Sequence, residues 1–506
     1  MSLTRKLLRG STINLAEHAI KITVMFVTTP LMVLHLGREN YGVWIVALAI
    51  IGYLRLLDLG VSLTGSRLLG RAIGAGNKDD YDNLFVTFSY LFNRIGIIAL
   101  AITLILALFL PFVIPGNAAL SEARWIIFGL GLATSFRFWT QIFLVVLKSH
   151  LRYDWIGLAS IIKTLLQGTL IFILLTRGHG LTSLLLAYII TDVLDQVLLV
   201  LFSRKIYPQG QVRFVHNRPT GLGPILRYSA TVMMVNIGSQ LRNGVDPLVI
   251  GHFSGLAFVP VYSIGSRFLT VLTDIVNAIF GGSFIAAFSQ LDGRNDHHAL
   301  VRNFLKSLRF SCAIASLGGG AIAVLGPLFI ERWIGSSFAD SGKVLLILVV
   351  PTTLMLMQYP VWGFFFSQNK QRWLAFTALG GGFFNAALSI ILALNIGFFG
   401  VVWATFIELL LAFGIIVPIL TSRICQIGIL TYWWNLLKHG IPFVLLCFIF
   451  DLTVGHLIRP DYFSLLVSGV GLGALAIPLF WFLPLTKEDR RILRNQASRL
   501  WKAGFK

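Results

Sequence analysis

The chain has 506 residues, of which 56% are hydrophobic and 12% charged, and its mean hydropathy is +0.81. A soluble protein of this length needs far more charge to cover its surface, so the composition excludes a soluble globular fold. The 41 Lys and Arg residues outnumber the 21 Asp and Glu residues, for a net charge of +20, but the placement of the basic residues argues against nucleic-acid binding.

Long apolar segments predict transmembrane helices, because about 20 such residues cross the roughly 30 Å of bilayer hydrocarbon. The predicted spans are 12–36, 41–66, 84–112, 124–147, 155–175, 181–202, 223–252, 258–290, 304–330, 342–367, 374–396, 400–422, 436–457 and 462–484. The sequence therefore predicts an all-α polytopic membrane protein with about 14 transmembrane helices.

The basic residues are concentrated in alternate loops. With the N-terminus in the cytoplasm, the cytoplasmic segments hold 26 Lys and Arg residues and the opposite loops hold 6. Such a bias in short loops is the positive-inside pattern of membrane proteins. It predicts that both termini are cytoplasmic and that the basic charge sets the topology, with no nucleic acid as partner.

A weak internal repeat divides the chain. Residues 29–35 align with residues 246–252 at an offset of 217, and Asp58 aligns with Asp274 at an offset of 216. Because both halves begin in the cytoplasm, the repeat is parallel, and two such lobes around a central cavity are typical of alternating-access transporters. The predicted parts are an N-terminal six-helix lobe 1–205, a cytoplasmic linker 206–222, a C-terminal six-helix lobe 223–435, an appended helix pair 436–484 and a basic amphipathic tail 485–506.

Motifs for catalysis or metal binding are missing from the sequence. It contains no His-Glu-x-x-His, Walker or Gly-x-Ser-x-Gly pattern, and its three cysteines have no paired spacing. No catalytic residue, metal or cofactor is predicted.

Charged and amide residues within the spans are the candidates for a functional site. A cation in the middle of a span that faces lipid costs about 2.5–3.5 kcal/mol on insertion scales, so most such residues must be paired, hydrated or near an interface. The candidate cations are Lys21, Arg55, Arg137, Lys163, Arg242 and Arg267. The candidate acids are Glu17, Asp58, Asp192, Asp246, Asp274 and Glu408. The further polar candidates are Asn14, Asn236, Gln240 and Asn243.

Helical spacing places cations beside acids in the first two spans of each half. Glu17 and Lys21 are four residues apart, and Arg242 and Asp246 have the same spacing. Arg55, Asp58 and Ser62 follow the i, i+3, i+7 pattern of one helix face, as Arg267, Thr270 and Asp274 do. Two interpretations stay open: ion pairs that fix helix register, or a shared cavity. Lys163 paired with an aspartate of span 6 is a structural interpretation of that residue.

A cavity lined by cations favours an anionic headgroup, particularly one with phosphate, because guanidinium groups match phosphate oxygens in pairs. The acids would hold the arginines in place, or bind the H⁺ or Na⁺ that drives transport.

The run Leu36-Gly-Arg-Glu-Asn-Tyr-Gly42, followed by Leu56-Leu-Asp-Leu-Gly60, resembles Wzx-type polysaccharide biosynthesis proteins. These are oligosaccharide-lipid flippases of the multidrug/oligosaccharidyl-lipid/polysaccharide exporter superfamily. The resemblance implies a bacterial inner-membrane protein that moves a polyprenyl-pyrophosphate-linked repeat unit to the outer leaflet, driven by an ion gradient or the membrane potential. It also implies that Lys21, Arg55, Arg242 and Arg267 engage the headgroup, and that membrane lipids and other polysaccharide-assembly proteins are partners.

Two other classes remain as alternatives. A multidrug exporter of the same superfamily would bind cationic drugs through acids such as Asp58 or Asp192. A membrane glycosyltransferase or O-antigen polymerase usually has a large outer loop, whereas the outer loops here are predicted to have only about 4–13 residues, so an enzyme is disfavoured.

Overall fold

The computed structural model describes residues 3–109, 117–209, 222–280, 288–289, 291–292, 296–485 and 490; side chains are described from residue 13 onwards, except those of 109, 117–121, 222–232 and 243. Every regular element in these ranges is helical. The linker residues 210–221 and nearly all of the predicted amphipathic tail lie outside the described residues.

Sixteen α-helices follow one another along the described chain. In order they are α1 (Leu3–Leu54), α2 (Val61–Ala75), α3 (Lys78–Phe109), α4 (Asn117–Ser149), α5 (Tyr153–Thr176), α6 (Thr182–Ile206), α7 (Leu222–Phe253), α8 (Phe258–Phe280), α9 (His297–Ile334), α10 (Ala339–Met357), α11 (Pro360–Ser367), α12 (Gln371–Ile396), α13 (Phe398–Leu411), α14 (Val417–Cys425), α15 (Ile429–Val454) and α16 (Tyr462–Phe482).

Twelve segments of the described chain are long and apolar enough to cross a membrane. The first, Ile13–Ala75, contains the first two predicted spans, and the other eleven each overlap one further span. The predicted span 223–252 falls in α7, whose side chains are described only in part. The all-α multi-pass membrane class is therefore confirmed, and the number of fourteen spans stays a prediction.

Two glycines of the Leu-Gly-x-x-x-Tyr-Gly run have separate structural roles. Gly37 has φ 71° and ψ 178°, a conformation open essentially to glycine alone, and it kinks α1 between the first two predicted spans. A Cβ at Gly42 would lie 2.0 Å from the carbonyl oxygen of Leu256, so this glycine permits a close contact between backbones. Tyr41 beside it is buried. The run therefore encodes a kink followed by a tight packing contact.

The second predicted span is not one continuous helix. Residues Arg55–Asp58 form a 3₁₀ turn, and Leu59 and Gly60 follow with φ 48° and φ 74° before α2 begins. Oδ1 of Asp58 accepts hydrogen bonds from the backbone N–H of Ser62 at 3.2 Å and from its hydroxyl at 2.7 Å. The expectation that Arg55, Asp58 and Ser62 share one helix face is wrong. Two successive left-handed residues end the helix, and the helical spacing of the polar residues does not reveal this.

The chain packs into two compact units. The first comprises Met1–Pro260 with the short piece Ala393–Phe398, and the second comprises Val261–Leu392 with Phe399–Lys506. This division groups α7 with the first unit, whereas the sequence interpretation began the second lobe at residue 223. The predicted lobe and linker boundaries stay predictions.

Within the first unit, α4 is the central helix: it packs against α3 on one side and α6 on another, while α5 packs against both α1 and α6. The apolar core around α2, α3 and α4 includes Phe88, Phe92 and Phe143, all fully buried. This packing places the polar faces of α4, α5 and α6 side by side.

Within the second unit, α9 packs against α10 and against α15 of the appended pair. A π-helical turn, Ala412–Ile416, interrupts the last span before that pair. The Gln358 side-chain amide donates to the carbonyl oxygen of Phe413 at 2.7 Å, and the buried Tyr432 hydroxyl of α15 donates to Gln358 Oε1 at 3.0 Å. A π turn disturbs the regular hydrogen bonding of helix carbonyl groups. The Gln358 amide satisfies the Phe413 carbonyl oxygen, and the Tyr432 hydroxyl links Gln358 to the appended pair.

We expect Gly42→Ala to destabilise the folded protein, because the new methyl group would meet a backbone oxygen that cannot rotate away. Overpacking of this kind typically costs about 1–3 kcal/mol. Gly74→Ala is the matched control: Gly74 is helical and exposed, and no atom lies within 4 Å of its added Cβ. The measurement is the midpoint temperature of unfolding in detergent. Equal midpoints for the Gly42→Ala variant and the wild type would contradict the close contact.

Candidate functional site

A stripe of polar side chains runs along α6 in the first unit. Tyr188, Asp192 and Asp195 are spaced i, i+4, i+7 and therefore lie on one face of the helix. Asp192 is 1% exposed and Asp195 is 6% exposed. Two carboxylates this deeply buried in a membrane protein need compensating charge, since burial of an unpaired ion is strongly unfavourable.

Two cations from neighbouring helices supply that charge. Nζ of Lys163 on α5 lies 2.6 Å from Asp192 Oδ1 and 3.6 Å from Asp195 Oδ2. A terminal guanidinium nitrogen of Arg137 on α4 lies 3.4 Å from Asp195 and 3.9 Å from Asp192. Each cation thus contacts both carboxylates, and the four groups form a charge-balanced cluster that links α4, α5 and α6. We call these four residues the α6 charge cluster.

Neutral side chains orient the cluster from one side. The Thr140 hydroxyl on α4 donates to Gln196 Oε1 at 2.6 Å, and the Gln196 amide donates to Asp195 Oδ2 at 3.4 Å. Both side chains are buried. They fix the position of Asp195 through hydrogen bonds that add no charge.

Arg55 reaches the same stripe from the 3₁₀ turn. Its terminal nitrogen donates to the Tyr188 hydroxyl at 3.0 Å, and Lys163 Nζ lies 5.8 Å from the centre of the Tyr188 ring. Trp44 packs against that ring edge to face, at 6.3 Å between centroids. Among the described residues, no carboxylate lies within 4.0 Å of Arg55, whose side chain is exposed. With Arg55 bound to Tyr188, the α6 stripe contains two carboxylates and contacts three cations, an excess of one positive charge.

Asp58 belongs to a second branch, in which Lys148 of α4 interacts with its charge. The Gln141 amide on α4 donates to the Ser62 hydroxyl at 3.0 Å, and this hydroxyl donates to Asp58. Arg55 and Asp58 thus turn to different partners, although they are only three residues apart.

The predicted pair on α1 is also separated. Oε1 of Glu17 accepts a hydrogen bond from the Ser160 hydroxyl of α5 at 2.6 Å. Lys21 is exposed, and no carboxylate among the described residues lies within 4.0 Å of it. Asn14 lies near Gly157, which is on the same face of α5 as Ser160. A Cβ added at Gly157 would be 3.4 Å from the side-chain oxygen of Asn14.

The candidates on α7 lie in the first unit as well. Asp246 is 1% exposed, Arg242 is half-buried and Asn236 is exposed. The Gln240 amide lies over Gly52 of α1: a Cβ added at Gly52 would be 2.6 Å from the side-chain nitrogen of Gln240. The side chain of Asn243 lies outside the described residues.

Two separate polar groups occur in the second unit. On α8, Asp274 is exposed and Arg267 is half-buried, and the described residues include no carboxylate within 4.0 Å of Arg267. Farther along the chain, Glu408 is 1% exposed and lies one helical turn after Thr405. The Thr405 hydroxyl donates to the buried Asn385 Oδ1 at 3.3 Å.

The structure thus brings four predicted residues together, Arg55, Arg137, Lys163 and Asp192. Sequence reasoning missed Tyr188, Thr140 and Gln196. The spacing of Tyr188, Asp192 and Asp195 was the available signal, but a tyrosine in an apolar helix is ordinary in a membrane protein. In the described part of the chain, no three His, Cys, Asp or Glu side chains come close enough to hold a metal ion.

Comparison with known proteins places the chain in a family. The sequence profile described as polysaccharide biosynthesis protein matches residues 7–292. An uncharacterized membrane protein of Bacillus subtilis (strain 168), EpsK, is 24% identical over 319 residues, which is 61% of this chain and 61% of that protein. The chain therefore matches about three fifths of the length of this curated relative.

Solved structures share the fold at low sequence identity. A lipid II flippase, MurJ, in an inward closed conformation superimposes with a TM-score of 0.72 over 93% of this chain and 98% of its own, at 15% identity. An inward-facing multidrug resistance transporter of the MATE family reaches 0.65 over 81% of this chain and 98% of its own, also at 15% identity. With more than half of its length matched by the family profile, the chain belongs to the polysaccharide biosynthesis protein family.

Proposed function

We propose that the protein is a flippase, not an enzyme, that carries a polyprenyl-pyrophosphate-linked oligosaccharide across the membrane by alternating access for cell-surface polysaccharide synthesis. Membership of the polysaccharide biosynthesis family and the fold shared with a lipid II flippase support this assignment. The observation that carries it is the excess of positive charge on the α6 stripe, because an anionic headgroup is the ligand that such an excess attracts.

The roles of the cations follow from their partners. Arg137 and Lys163 are neutralised by two buried aspartates, so we assign them first to holding the cluster together and second to the headgroup. Arg55, Lys21 and Arg267 have no carboxylate within 4.0 Å among the described residues, and they are the primary headgroup candidates. Guanidinium groups suit the two oxygens of a phosphate better than an ammonium does. Arg242 stays a candidate for the same role.

Buried acids are the candidates for coupling transport to H⁺ or Na⁺, or to the membrane potential. Glu408 and Asp246 are each 1% exposed, and protonation or cation binding would change their charge in a setting of low dielectric constant. Glu17, Asp58 and Asp274 are more accessible and are second candidates. Asp192 already has an ammonium at 2.6 Å, so we assign it to structural pairing with Lys163.

That same pairing argues against the binding of a cationic drug at Asp192 or Asp195. A cationic drug needs an acid without a fixed counter-ion, and the two acids of the α6 charge cluster each contact two protein cations. The MATE transporter has the same fold, but fold alone does not assign a substrate. Drug-resistance assays on cells that express the protein would separate the two functions.

We further propose that the protein lies in the bacterial inner membrane with both termini in the cytoplasm, and that other polysaccharide-assembly proteins act beside it. The positive-inside bias of its loops supports the orientation. Reporter fusions at Asn77 should therefore report the cytoplasm, and fusions at Gly255 and Ser337 should report the opposite side. A reversal at any one of the three positions would contradict this topology.

We expect Arg55→Ala to abolish glycan export while protein abundance stays near that of the wild type. The Arg55 side chain is exposed and contacts a phenol, so its removal leaves no buried carboxylate without a partner. Arg267→Ala, in the second unit, should also abolish glycan export at near-normal protein abundance. Arg55→Lys should restore little export if paired phosphate contacts are needed, and more if charge alone suffices.

The control for these variants is Arg94→Gln. Arg94 is an exposed arginine that lies over the Tyr90 ring at 5.2 Å, and we give it no role in transport, so export should be normal. The measurements are surface glycan and membrane-inserted protein from the same cells. Normal export by well-expressed Arg55→Ala and Arg267→Ala proteins would remove both residues from the headgroup role.

Lys163→Ala should instead lower the amount of folded protein. It leaves the buried Asp192 with Arg137 at 3.9 Å as its remaining close cation in the described chain. Removing one partner of a buried ion pair typically costs about 3–5 kcal/mol. The second change Asp192→Asn should restore part of the loss, because it removes the unpaired charge. Wild-type abundance and unfolding midpoint in Lys163→Ala alone would show that the cluster does not stabilise the fold.

A further inference from the structure

The outer end of the α3–α4 helix pair contains a groove that the transport site does not use. Its volume is about 650 Å³, within the roughly 300–1,000 Å³ typical of small-molecule pockets. Leu104, Ala107 and Leu108 of α3 form one wall, and Trp125 and Phe128 of α4 form the other. Arg124 lies at its mouth.

The shape of the groove follows from the packing of the two helices. A Cβ at Gly131 would lie 2.3 Å from Cγ2 of Thr103, so α3 and α4 are in close contact at this level. Phe128 lies one turn before Gly131 and Trp125 a further turn before it, and the centroids of their rings are 6.4 Å apart. Among the side chains that line the groove, Ala107, one turn after Thr103 on α3, is the smallest.

The walls and the mouth of the groove differ in chemistry. Leu108 is 73% exposed and Trp125 is 69% exposed, as expected of side chains that face lipid. Arg124 is also exposed, and the described residues place no carboxylate within 4.0 Å of it. A tryptophan and an arginine at the end of a transmembrane helix lie at headgroup level. The groove thus has an apolar interior below a cationic rim, the two-part chemistry of a lipid.

We propose that this groove binds one anionic phospholipid of the outer leaflet, with an acyl chain between α3 and α4 and its phosphate at Arg124. Arg124 is a single cation, which matches a phosphodiester. A pyrophosphate calls for several cations, such as those gathered on α6. The leaflet rests on the topology proposed above; the binding itself does not depend on export.

The test measures lipids retained by the purified full-length protein in native mass spectrometry, with phosphatidylglycerol and phosphatidylcholine of identical acyl chains. A cationic side chain at the surface contributes about 1 kcal/mol to binding of anionic lipid, or about fivefold. We expect the wild type to prefer phosphatidylglycerol, and Arg124→Gln to lose this preference by about that factor. Arg177→Gln, another exposed arginine of an outer loop, should keep it.

A second variant tests the acyl-chain part of the groove without any change of charge. Ala107→Trp should fill the space between the helices and reduce retention of both lipids, with an unchanged unfolding midpoint as evidence of folding. Equal retention of the two lipids by the wild type would overturn the proposal, as would equal losses in Arg124→Gln and Arg177→Gln. Preferential, Arg124-dependent retention of a polyprenyl pyrophosphate over phosphatidylglycerol would assign the groove to the transported lipid instead.

Discussion

The contact between Lys163 and Asp192 is the interaction on which the candidate site depends. A carboxylate that is 1% exposed within a membrane-spanning helix is tolerated only because an ammonium lies 2.6 Å away. Asp195 and Arg137 extend the pair into a balanced cluster. Because its members come from α4, α5 and α6, the cluster also fixes how these helices pack, so the stability of the first unit and the electrostatics of its site have one origin.

The helix break at residues 55–60 adds the unbalanced charge to this arrangement. A continuous helix would have placed Arg55 beside Asp58, where the two charges would cancel. The 3₁₀ turn and the two left-handed residues after it direct Asp58 to Ser62 at the start of α2, and Arg55 to Tyr188 on α6. A local departure from helical geometry therefore separates a cation from its nearest acid. This separation leaves Arg55 without a carboxylate within 4.0 Å among the described residues.

In the second unit, neutral side chains make the buried polar contacts described above. Gln358 donates to the carbonyl oxygen of Phe413 in the π turn, Tyr432 donates to Gln358, and Asn385 accepts from Thr405 near Glu408. Hydrogen bonds between neutral groups avoid the desolvation cost of ions. Ion pairs thus connect the helices of the α6 charge cluster, whereas hydrogen bonds between neutral side chains make these contacts in the second unit.

The sequence by itself determined the class of the protein, because hydropathy, span length and loop charge depend on composition along the chain and on the thickness of the bilayer. It also identified Arg55, Arg137, Lys163 and Asp192 as candidates, since ions within apolar spans are conspicuous. Only the tertiary structure decided which of them meet. Partners on α4, α5 and α6 are separated by 29 to 58 residues along the chain, and periodicity within one helix carries no information about such contacts. The break at residues 55–60 was likewise not predicted, because the spacing of Arg55, Asp58 and Ser62 fits a continuous helix, while the backbones of Leu59 and Gly60 leave it.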